Sequence, residues 1–440
     1  MKKKSLLTLG LIVLFFLGDI AVSFSFKKES DRNIPYSEIV PLSYRIPDIS
    51  KDVFNATGVD SVVNDFLKRN NIKGASLAIS KEGRLVYAKG FGWADVEDSI
   101  PVSPYHLFRI ASVSKLITAV TVMKLIEEEK ISVNDKVFGP RGILNDTSMF
   151  KYADNRAGEI TVYHLLNHTA GFDEKKTDLI FNSLYIARKM NVEAPADLST
   201  IVQYALGRQL QTYPGKNYHY SNLGYCILGM IIEKVTGMAY EDYVQFAVLH
   251  PLGIFDMHIG RSYESDLYIN EVRYYENGNT SKIWAFDGTK KLVPVVYGGN
   301  NIELLGAAGG WVASAPELAK LVVAIDGFDS RPDILSENSI RFMTQAIGLS
   351  RKLVGWRGTD GYGNWWRTGT MSGTSALIMR QRNDINWVVL LNTTTPKKSR
   401  IHNDLSHTMF AALRTVNDWP AVDLFDLEPS PSGKNLAFNE

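Results

Sequence analysis

The stretch FRIASVSKLITA, residues 108–119, carries the first chemical signal in this chain. It places Ser112 and Lys115 three residues apart at the start of an apolar run with helical spacing. On a helix this spacing puts both side chains on one face, about one turn apart. A serine hydroxyl becomes a nucleophile when a base takes its proton, and a lysine with a lowered pKa can share in that transfer. The pattern therefore predicts that Ser112 is a nucleophile and Lys115 its proton partner.

The start of a helix suits this chemistry for two reasons. The helix dipole favours developing negative charge there. The backbone N–H groups of the first turn have no partner within the helix, so that of Ser112 can donate to a carbonyl oxygen. Ser-x-x-Lys alone is a common tetrapeptide, and a site requires further groups from elsewhere in the chain.

Composition sets the broad class of the protein. The chain has 440 residues, of which 45% are hydrophobic and 22% charged, as in ordinary globular proteins. Its formal net charge of +1 gives no electrostatic drive toward nucleic acid or an anionic membrane. Cys226 is the single cysteine, so intrachain disulfides and cysteine-rich metal sites are excluded. We interpret Cys226 as a small buried hydrophobe.

The first residues are typical of an export signal. A basic stretch at 2–4 precedes an apolar run at 6–17, and small residues lead up to Ser23. We expect residues 1–23 to be a signal peptide cleaved near Ser23, and the protein to be secreted or periplasmic. The apolar run is short for a bilayer span, but an uncleaved N-terminal anchor is the alternative. No other stretch is long and apolar enough to predict a stable membrane span.

Strand patterns lie at the two ends of the chain. Residues 24–55 contain several prolines and predict a linker or an extended arm. A switch to period two over residues 75–90, around Lys81-Glu82-Gly83, predicts a hairpin. Three further strands are predicted near the C-terminus, at residues 365–369, 374–380 and 386–392.

Helical patterns occupy most of the remainder. They are predicted at residues 57–68, 161–167, 199–206, 222–236, 240–249, 336–347 and 404–414. Residues 306–311 are rich in glycine and predict a turn. The arrangement predicts an α+β fold of the α/β sandwich type. An antiparallel sheet would be built from the N- and C-terminal segments and flanked by helices, with a mostly helical subdomain beside it. We assign residues 56–418 to this domain and residues 419–440 to a loose C-terminal tail.

Two further segments offer polar groups to the predicted nucleophile. Tyr220 and Asn222 bracket the start of the predicted helix 222–236. Arg367 begins the sequence Arg-Thr-Gly-Thr on a predicted strand. We expect these segments to meet Ser112 in the cleft between the sheet and the helical subdomain.

With these segments in this order, the chain resembles the serine β-lactamase and penicillin-recognising family. The resemblance is to its class C β-lactamase, D-alanyl-D-alanine carboxypeptidase and esterase members. Residues 108–119 resemble the nucleophile motif, Tyr220-Ser221-Asn222 the Tyr-x-Asn element, and HLLNHTAG at 164–171 the Leu-Leu-x-His-Thr-Ser-Gly stretch. The resemblance covers roughly residues 55–415 and implies a β-lactamase/transpeptidase-like fold for the predicted domain.

The resemblance implies a role for each matching position. Ser112 would form an acyl-enzyme, and Lys115 and Tyr220 would share the proton transfers, with Tyr220 as a phenolate. Asn222 would hydrogen-bond the substrate or orient Lys115. The oxyanion hole would be formed by the backbone N–H groups of Ser112 and Thr370. The Tyr-Ser-Asn element favours class C-like chemistry.

The third motif departs from the family pattern. It usually begins with Lys or His, whereas here Arg367 precedes Thr368, Gly369 and Thr370 on the strand expected to bind substrate. An arginine stays charged and cannot pass on a proton. It can lower the pKa of neighbouring groups, and it can hold a substrate carboxylate with two donors. The alternative is that Arg367 points away from the site and pairs with a surface acid.

The patterns together predict an exported serine hydrolase that forms an acyl-enzyme on Ser112 and hydrolyses an ester, amide or peptide-like substrate. Because of Arg367, we rank an esterase or peptidase-like activity ahead of a class C-like β-lactamase. A D-alanyl-D-alanine carboxypeptidase or D-aminopeptidase is the closest alternative. A hypothesis of another class is a ligand-binding protein that keeps this fold without turnover.

Partners and cofactors follow from the same patterns. We expect a small-molecule or peptide-like substrate, no nucleic-acid partner and no cofactor. His164 and His168 are four residues apart, as in a zinc-binding helix, but Leu165 stands where that pattern needs glutamate. No metal site is therefore predicted. The sequence does not indicate an oligomeric state.

Overall fold

The computed structural model describes residues 40–46, 57–172, 177–278, 282–345, 352–395 and 400–427. All of these belong to the unit that starts at Val40. The predicted signal peptide, most of the predicted arm and residues 428–440 lie outside the described residues.

The longest strands form one antiparallel sheet of seven strands, in the order β10-β11-β12-β13-β1-β2-β3. The strands of the chain are β1 (Gly74–Lys81), β2 (Arg84–Asp95), β3 (Ile100–Pro101), β4 (Phe108–Arg109), β5 (His258–Ile259), β6 (Tyr275–Glu276), β7 (Lys282–Trp284), β8 (Leu292–Pro294), β9 (Trp311–Ala313), β10 (Gly358–Thr359), β11 (Trp365–Met371), β12 (Thr374–Gln381), β13 (Ile385–Leu391) and β14 (Thr393–Thr394). The N- and C-terminal segments join where β1 pairs with β13, with Leu77 opposite Val389.

The helices cover the sheet and fill the middle of the chain. They are α1 (Leu42–Arg45), α2 (Thr57–Asn70), α3 (Ser114–Glu127), α4 (Val162–Leu166), α5 (Ser183–Met190), α6 (Leu198–Leu206), α7 (Asn222–Thr236), α8 (Tyr240–Val244), α9 (Ile302–Gly309), α10 (Ala315–Val323), α11 (Glu337–Thr344) and α12 (Arg400–Leu413). Among the residues that the structure describes, no helix is long and apolar enough to cross a membrane.

The central strands are apolar on both sides because helices cover both faces of the sheet. Leu77 and Trp387 face the core formed with α2 and α12. Ala78 and Val388 point the other way, into the larger core on the side of α10. Alternating side chains of a strand point to opposite faces, so a sheet covered twice requires an unbroken apolar run. The sequence INWVVLL of β13 is such a run.

The structure confirms the predicted fold class: the terminal strands share one antiparallel sheet flanked by helices. The predicted helices overlap observed ones, although the helix predicted at 240–249 ends as α8 and continues as the π-helical turn Gln245–Leu249. The predicted glycine-rich turn at 306–311 is wrong. Its first part belongs to α9, which is distorted at Gly306 (φ 17°, ψ −97°), and Trp311 begins β9.

Two segments predicted to be loose are packed. Residues 42–45 of the predicted arm form α1, with Leu42 buried against the core. In the predicted C-terminal tail, Leu424 and Phe425 are buried within the short 3₁₀ helix Leu424–Asp426. The Asp423 carboxylate accepts a hydrogen bond from the Leu85 backbone at 3.0 Å. The tail prediction is therefore corrected for residues 423–427, because apolar side chains and a capping carboxylate fix this segment to the sheet.

One buried acid bears on how stability depends on pH. Glu317 of α10 is fully buried, and burial raises its pKa to about 8. The charge of Asp256 raises this pKa further, whereas backbone N–H groups and Lys320 oppose the shift. The folded pKa lies above the ordinary value of 4.5, so folding takes up a proton at neutral pH. The stability linked to this group is fully present below pH 4.5 and is lost as the pH rises toward 8.

Substitution Glu317→Gln removes this ionisation and keeps the size of the side chain. We expect E317Q to increase the free energy of unfolding by about 1–3 kcal/mol at pH 8 and to change it little at pH 5. Thermal unfolding measured at both pH values tests this. The control is Glu337→Gln, since the side chain of Glu337 is 86% exposed. Equal effects of E317Q at the two pH values would contradict the prediction.

Candidate active site

The predicted nucleophile lies in a turn between a strand and a helix. Strand β4 pairs with β9, and the 3₁₀ turn Ala111–Val113 leads directly into α3. Ala111 has φ of 47°, in the left-handed region that costs a non-glycine residue about 1 kcal/mol. The Ser114 hydroxyl donates to the Ala111 carbonyl at 2.7 Å and accepts from the Trp311 N–H at 3.2 Å. Ser114 therefore fixes the turn that presents Ser112.

Arg109, two residues before this turn, anchors it to the segment that contains Arg261 and Val296. The guanidinium of Arg109 is buried and donates to the carbonyls of Val296 and Arg261, each at 2.7 Å. Its centre lies 4.4 Å from the centroid of the Tyr274 ring, and Glu271 lies 3.7 Å from its Nε. These contacts hold β4, which carries Arg109, against the segment 261–296.

Tyr220 is hydrogen-bonded to the predicted nucleophile. Its hydroxyl donates to Ser112 Oγ at 2.7 Å. It lies just before α7, which begins at Asn222 and is capped by the Ser221 hydroxyl, an acceptor for the Gly224 N–H at 2.8 Å. The cap fixes the helix start and, with it, the direction of the two flanking side chains.

Lys115 is fully buried and donates to two oxygen atoms. Its Nζ lies 2.6 Å from Asn222 Oδ1 and 2.6 Å from the carbonyl of Ala308. Ala307 and Ala308 lie in the last turn of α9, where carbonyls have no partner within the helix, and both accept from side chains of α3. Burial lowers the pKa of Lys115, the charge of Arg367 lowers it further, and Tyr220 opposes the shift.

Arg367 points into the site. It is 2% exposed, and its Nε donates to the Ser112 carbonyl at 2.7 Å while a terminal nitrogen donates to the Tyr220 hydroxyl at 3.1 Å. The alternative in which Arg367 points away and pairs with a surface acid is therefore wrong. The same burial leaves this guanidinium engaged with the protein, which disfavours the predicted clamp on a substrate carboxylate.

Two positive charges act on Tyr220. Burial alone would raise the pKa of this phenol, but the charges of Lys115 and Arg367 outweigh burial and lower the pKa to about 8. The hydrogen bond with Ser112 acts in the same direction. With this pKa about a tenth of Tyr220 is ionised at pH 7, compared with about one in a thousand for an ordinary tyrosine with a pKa of 10.0.

The other residues of the third motif, 368–370, lie on β11 together with Arg367. Gly369 lies so close to the nucleophile turn that an added Cβ would stand 2.1 Å from the Ile110 carbonyl oxygen. Thr370 is exposed on β11, and its hydroxyl lies 3.4 Å from His402 Nε2. Thr368 is partly buried opposite Leu377 of β12. Strand β11 therefore reaches the site through its backbone and through Arg367.

His168, four residues after His164, has a structural role beside Tyr220. It is buried, its Nδ1 accepts from the Ser221 N–H at 3.2 Å, and its ring centroid lies 4.6 Å from that of Tyr220. Burial and surrounding cations hold its pKa well below the ordinary value, so the ring is neutral and packs against Tyr220. In the described part of the chain, no group of three or more His, Cys, Asp or Glu side chains could hold a metal ion.

Three side chains near this site were not singled out from the sequence. Asp178 accepts a hydrogen bond from Asn222, and Arg357 and Lys352 lie beside the tyrosines that precede α7. All three come from loops and not from a motif, so only the folded chain brings them to the site. The sequence signal for the two basic residues was the cluster of three basic residues within 351–357, Arg351, Lys352 and Arg357.

Removal of the Arg367 charge should raise the pKa of Tyr220. We expect R367M to shift the ionisation of Tyr220 to higher pH by about one unit, since one of two stabilising charges is lost. R367K, which keeps the charge, should shift it by less than half as much. The measurement is tyrosinate absorbance against pH, as the difference between each protein and the same protein carrying Tyr220→Phe. An unchanged titration in R367M would exclude the electrostatic role of Arg367.

Comparison with known proteins agrees with this geometry. A family model described as Beta-lactamase matches residues 59–408. Protein flp of Staphylococcus aureus (strain MRSA252) is 31% identical over 195 residues, which are 44% of this chain and only 36% of that protein. The chain thus spans little more than a third of the length of this relative.

Solved structures share the fold. D-amino acid amidase from Ochrobactrum anthropi SV3 aligns with a TM-score of 0.63 at 21% identity, over 82% of this chain and 97% of that chain. EstCE1, a hydrolase with promiscuous acyltransferase activity, aligns with a TM-score of 0.62 at 21% identity, over 81% and 98% of the two chains. The family match includes the segments that carry Ser112, Tyr220 and Arg367, and the chain belongs to the Beta-lactamase family.

Proposed function

We propose that the protein is a serine hydrolase in which Ser112 attacks the carbonyl of an ester, amide or peptide-like substrate and water later releases the acyl group. The observation that carries this proposal is the 2.7 Å hydrogen bond between the Tyr220 hydroxyl and Ser112 Oγ. Two buried cations beside this phenol give it the electrostatic environment of a base.

Acylation can be written from the groups at the site. The Tyr220 phenolate takes the proton of Ser112, and Oγ forms a bond to the substrate carbonyl carbon. The resulting oxyanion would be met by the backbone N–H groups of Ser112 and Thr370. As the carbonyl reforms, the bond to the leaving group breaks, and that group takes the proton from Tyr220. Water, deprotonated by Tyr220, then attacks the acyl carbon, the bond from that carbon to Ser112 Oγ breaks, and Oγ takes the proton back from Tyr220.

The contacts of Lys115 favour Tyr220 as the base. Lys115 donates to Asn222 Oδ1 and the Ala308 carbonyl and is also hydrogen-bonded to Tyr220. An ammonium has three N–H donors and a neutral amine only two, so the charged form satisfies all three partners. The Nζ of Lys115 lies 4.8 Å from the centroid of the Tyr220 ring, close enough to stabilise a phenolate. Lys115 therefore serves as the fixed charge and Tyr220 as the group that moves the proton.

The substrate ranking follows from Arg367. This residue cannot pass a proton to or from a leaving group or a deacylating water. Proton transfer must then run through Tyr220 alone, which suffices for esters and activated amides with good leaving groups. We therefore rank an esterase or amidase activity ahead of turnover of β-lactams. The likeness to EstCE1 and to D-amino acid amidase is consistent with that order but concerns the fold.

Covalent labelling tests the proposal. The purified protein is incubated with a fluorophosphonate probe and with a fluorescent penicillin, and the modified peptide is located by mass spectrometry. We expect an adduct on Ser112, none in S112A, and an undiminished adduct in the control S132A, since Ser132 is exposed and remote from the motif segments. Turnover is followed with p-nitrophenyl esters, a β-lactam and D-alanyl-D-alanine peptides, and we expect the highest rate with the esters.

Two outcomes would change the conclusion. Absence of any adduct on Ser112 with both reagents would exclude acyl transfer by this site. An adduct that forms on Ser112 and never hydrolyses would instead support the ligand-binding alternative on the same fold.

A specific observation favours a second candidate, a carboxypeptidase-type activity on substrates with a free carboxylate. Arg357 donates to the Tyr218 hydroxyl at 3.2 Å, and its guanidinium centre lies 5.3 Å from the centroid of the Tyr220 ring. The Nζ of Lys352 lies 5.2 Å from the Tyr218 ring centroid. Burial and the charge of Arg357 lower the pKa of Lys352, and neither residue belongs to an ion pair within the described residues. This partly exposed basic rim could hold a substrate carboxylate.

Substitution Arg357→Gln separates the two candidates. If the rim binds a carboxylate, R357Q should raise KM about tenfold for substrates with a free carboxylate and leave KM for neutral esters within about twofold. The control is Arg382→Gln, because Arg382 is an exposed residue at the turn between β12 and β13. A uniform change for both substrate classes would exclude the carboxylate role.

A further inference from the structure

Asn222 connects the buried lysine to an acid that lies outside every motif. Its Oδ1 accepts from Lys115 Nζ at 2.6 Å, and its Nδ2 donates to Asp178 Oδ2 at 2.5 Å. Asp178 lies in the loop before α5, and its other carboxylate oxygen accepts from the Ile180 N–H at 3.0 Å. The Asp178 carbonyl accepts from the side chain of Asn182 at 2.6 Å. The carboxylate is therefore held at both of its oxygens.

The donor and acceptor roles in this chain of groups allow one orientation of the Asn222 amide. A lysine ammonium only donates, and an ionised carboxylate only accepts. The amide oxygen must then face Lys115 and the amide nitrogen must face Asp178. Without Asp178, the amide could turn by half a rotation and present its N–H₂ group to the ammonium, which would break the bond to Lys115.

Charge acts in the same direction as geometry. Burial raises the pKa of Asp178, while the hydrogen bonds from Asn222 and Ile180 and the charge of Lys115 oppose that shift. Tyr220 and Cys226 raise the pKa of Lys115, whereas the charge of Arg367 lowers it. Lys115 and Asp178 attract each other, since the charge of Lys115 lowers the pKa of Asp178. An anion behind Asn222 counters the effect of Arg367.

We propose that Asp178 is a positioning residue that fixes the Asn222 amide with its oxygen toward Lys115 and keeps Lys115 in its charged form. This inference rests on the proposed function, because the charged lysine matters only if Tyr220 takes the proton of Ser112. Asp178 makes no contact with Ser112 or Tyr220 and acts through Asn222. With Asp178 in place, Lys115 supplies a fixed positive charge and Tyr220 transfers the proton of Ser112.

Two variants separate the orientation of the amide from the charge. In D178N the single remaining oxygen can accept from Asn222, which keeps the orientation of the amide, while the anion and the acceptor for the Ile180 N–H are lost. In D178L the orientation is lost as well. The matched control is D197N, since Asp197 caps α6 through a bond to the Thr200 N–H and asparagine is an equally good cap.

The expected kinetics with a p-nitrophenyl ester differ between the variants. We expect kcat to fall about tenfold in D178N and about a hundredfold in D178L, with KM within about twofold, because a displaced catalytic group costs rate and not binding. The acidic limb of the pH–rate profile should move to higher pH in D178N by about one unit, since loss of the anion lowers the pKa of Lys115 and a less charged lysine stabilises the Tyr220 phenolate less. The control D197N should match the wild type in all three quantities.

The outcomes distinguish this inference from the proposed function. If wild-type protein turns over the ester and the D178N limb does not move, the role of Asp178 is overturned while the proposed function stands. If Ser112 of the wild type is never acylated, the proposed function fails. The titration of Tyr220 absorbance against Tyr220→Phe then decides: a higher midpoint in D178N than in wild type supports the electrostatic role, and an identical or lower midpoint overturns it. A loss of thermal stability without either shift would assign Asp178 a purely structural role.

Discussion

The site depends on one buried positive charge. Lys115 has no exposed surface, and removing an ammonium from water costs several kcal/mol unless polar groups replace the water. Here the replacements come from two different helices, Asn222 at the start of α7 and the Ala308 carbonyl of α9. The requirement to solvate this charge therefore ties together α3, α7 and α9. The Ala308 carbonyl is available for this because it lies in the last turn of α9, where carbonyls have no partner within the helix.

The charge of Lys115 also lowers the pKa of Tyr220, the residue that we propose as the base. A phenol buried beside Ser112 would ordinarily remain protonated, because burial disfavours the anion. Lys115 and Arg367 reverse that preference and lower the pKa of Tyr220 to about 8. The ring of His168 packs against Tyr220 and, because it is neutral, adds no charge of its own. The cost of burying the cations is thus offset, in part, by the anion that they stabilise.

Sequence alone predicted those parts of the structure that depend on local spacing. Ser112 lies in the turn that leads into α3 and Lys115 lies in the first turn of α3, as the helical spacing predicted. The apolar run of β13 is a strand covered on both faces. Asp178 and Arg357 could not be predicted, because each acts through a partner far away in the chain, Asn222 and Tyr218. The predicted turn at residues 306–311 failed for a related reason: α9, which packs against α3, extends to Gly309, although Gly306 within it departs from helical dihedral angles.

The third motif combines two separable constraints, and Arg367 meets only one of them. Gly369 is required by backbone geometry, because the Ile110 carbonyl lies 2.1 Å from where a Cβ would stand. The position of Arg367 is an electrostatic constraint: a cation must lie beside Tyr220 and the Ser112 carbonyl. A guanidinium satisfies that constraint permanently, whereas Lys or His could also exchange a proton. Arg367 keeps the charge without the proton exchange, and in the function that we propose Tyr220 is therefore the single route for protons between Ser112, the leaving group and water.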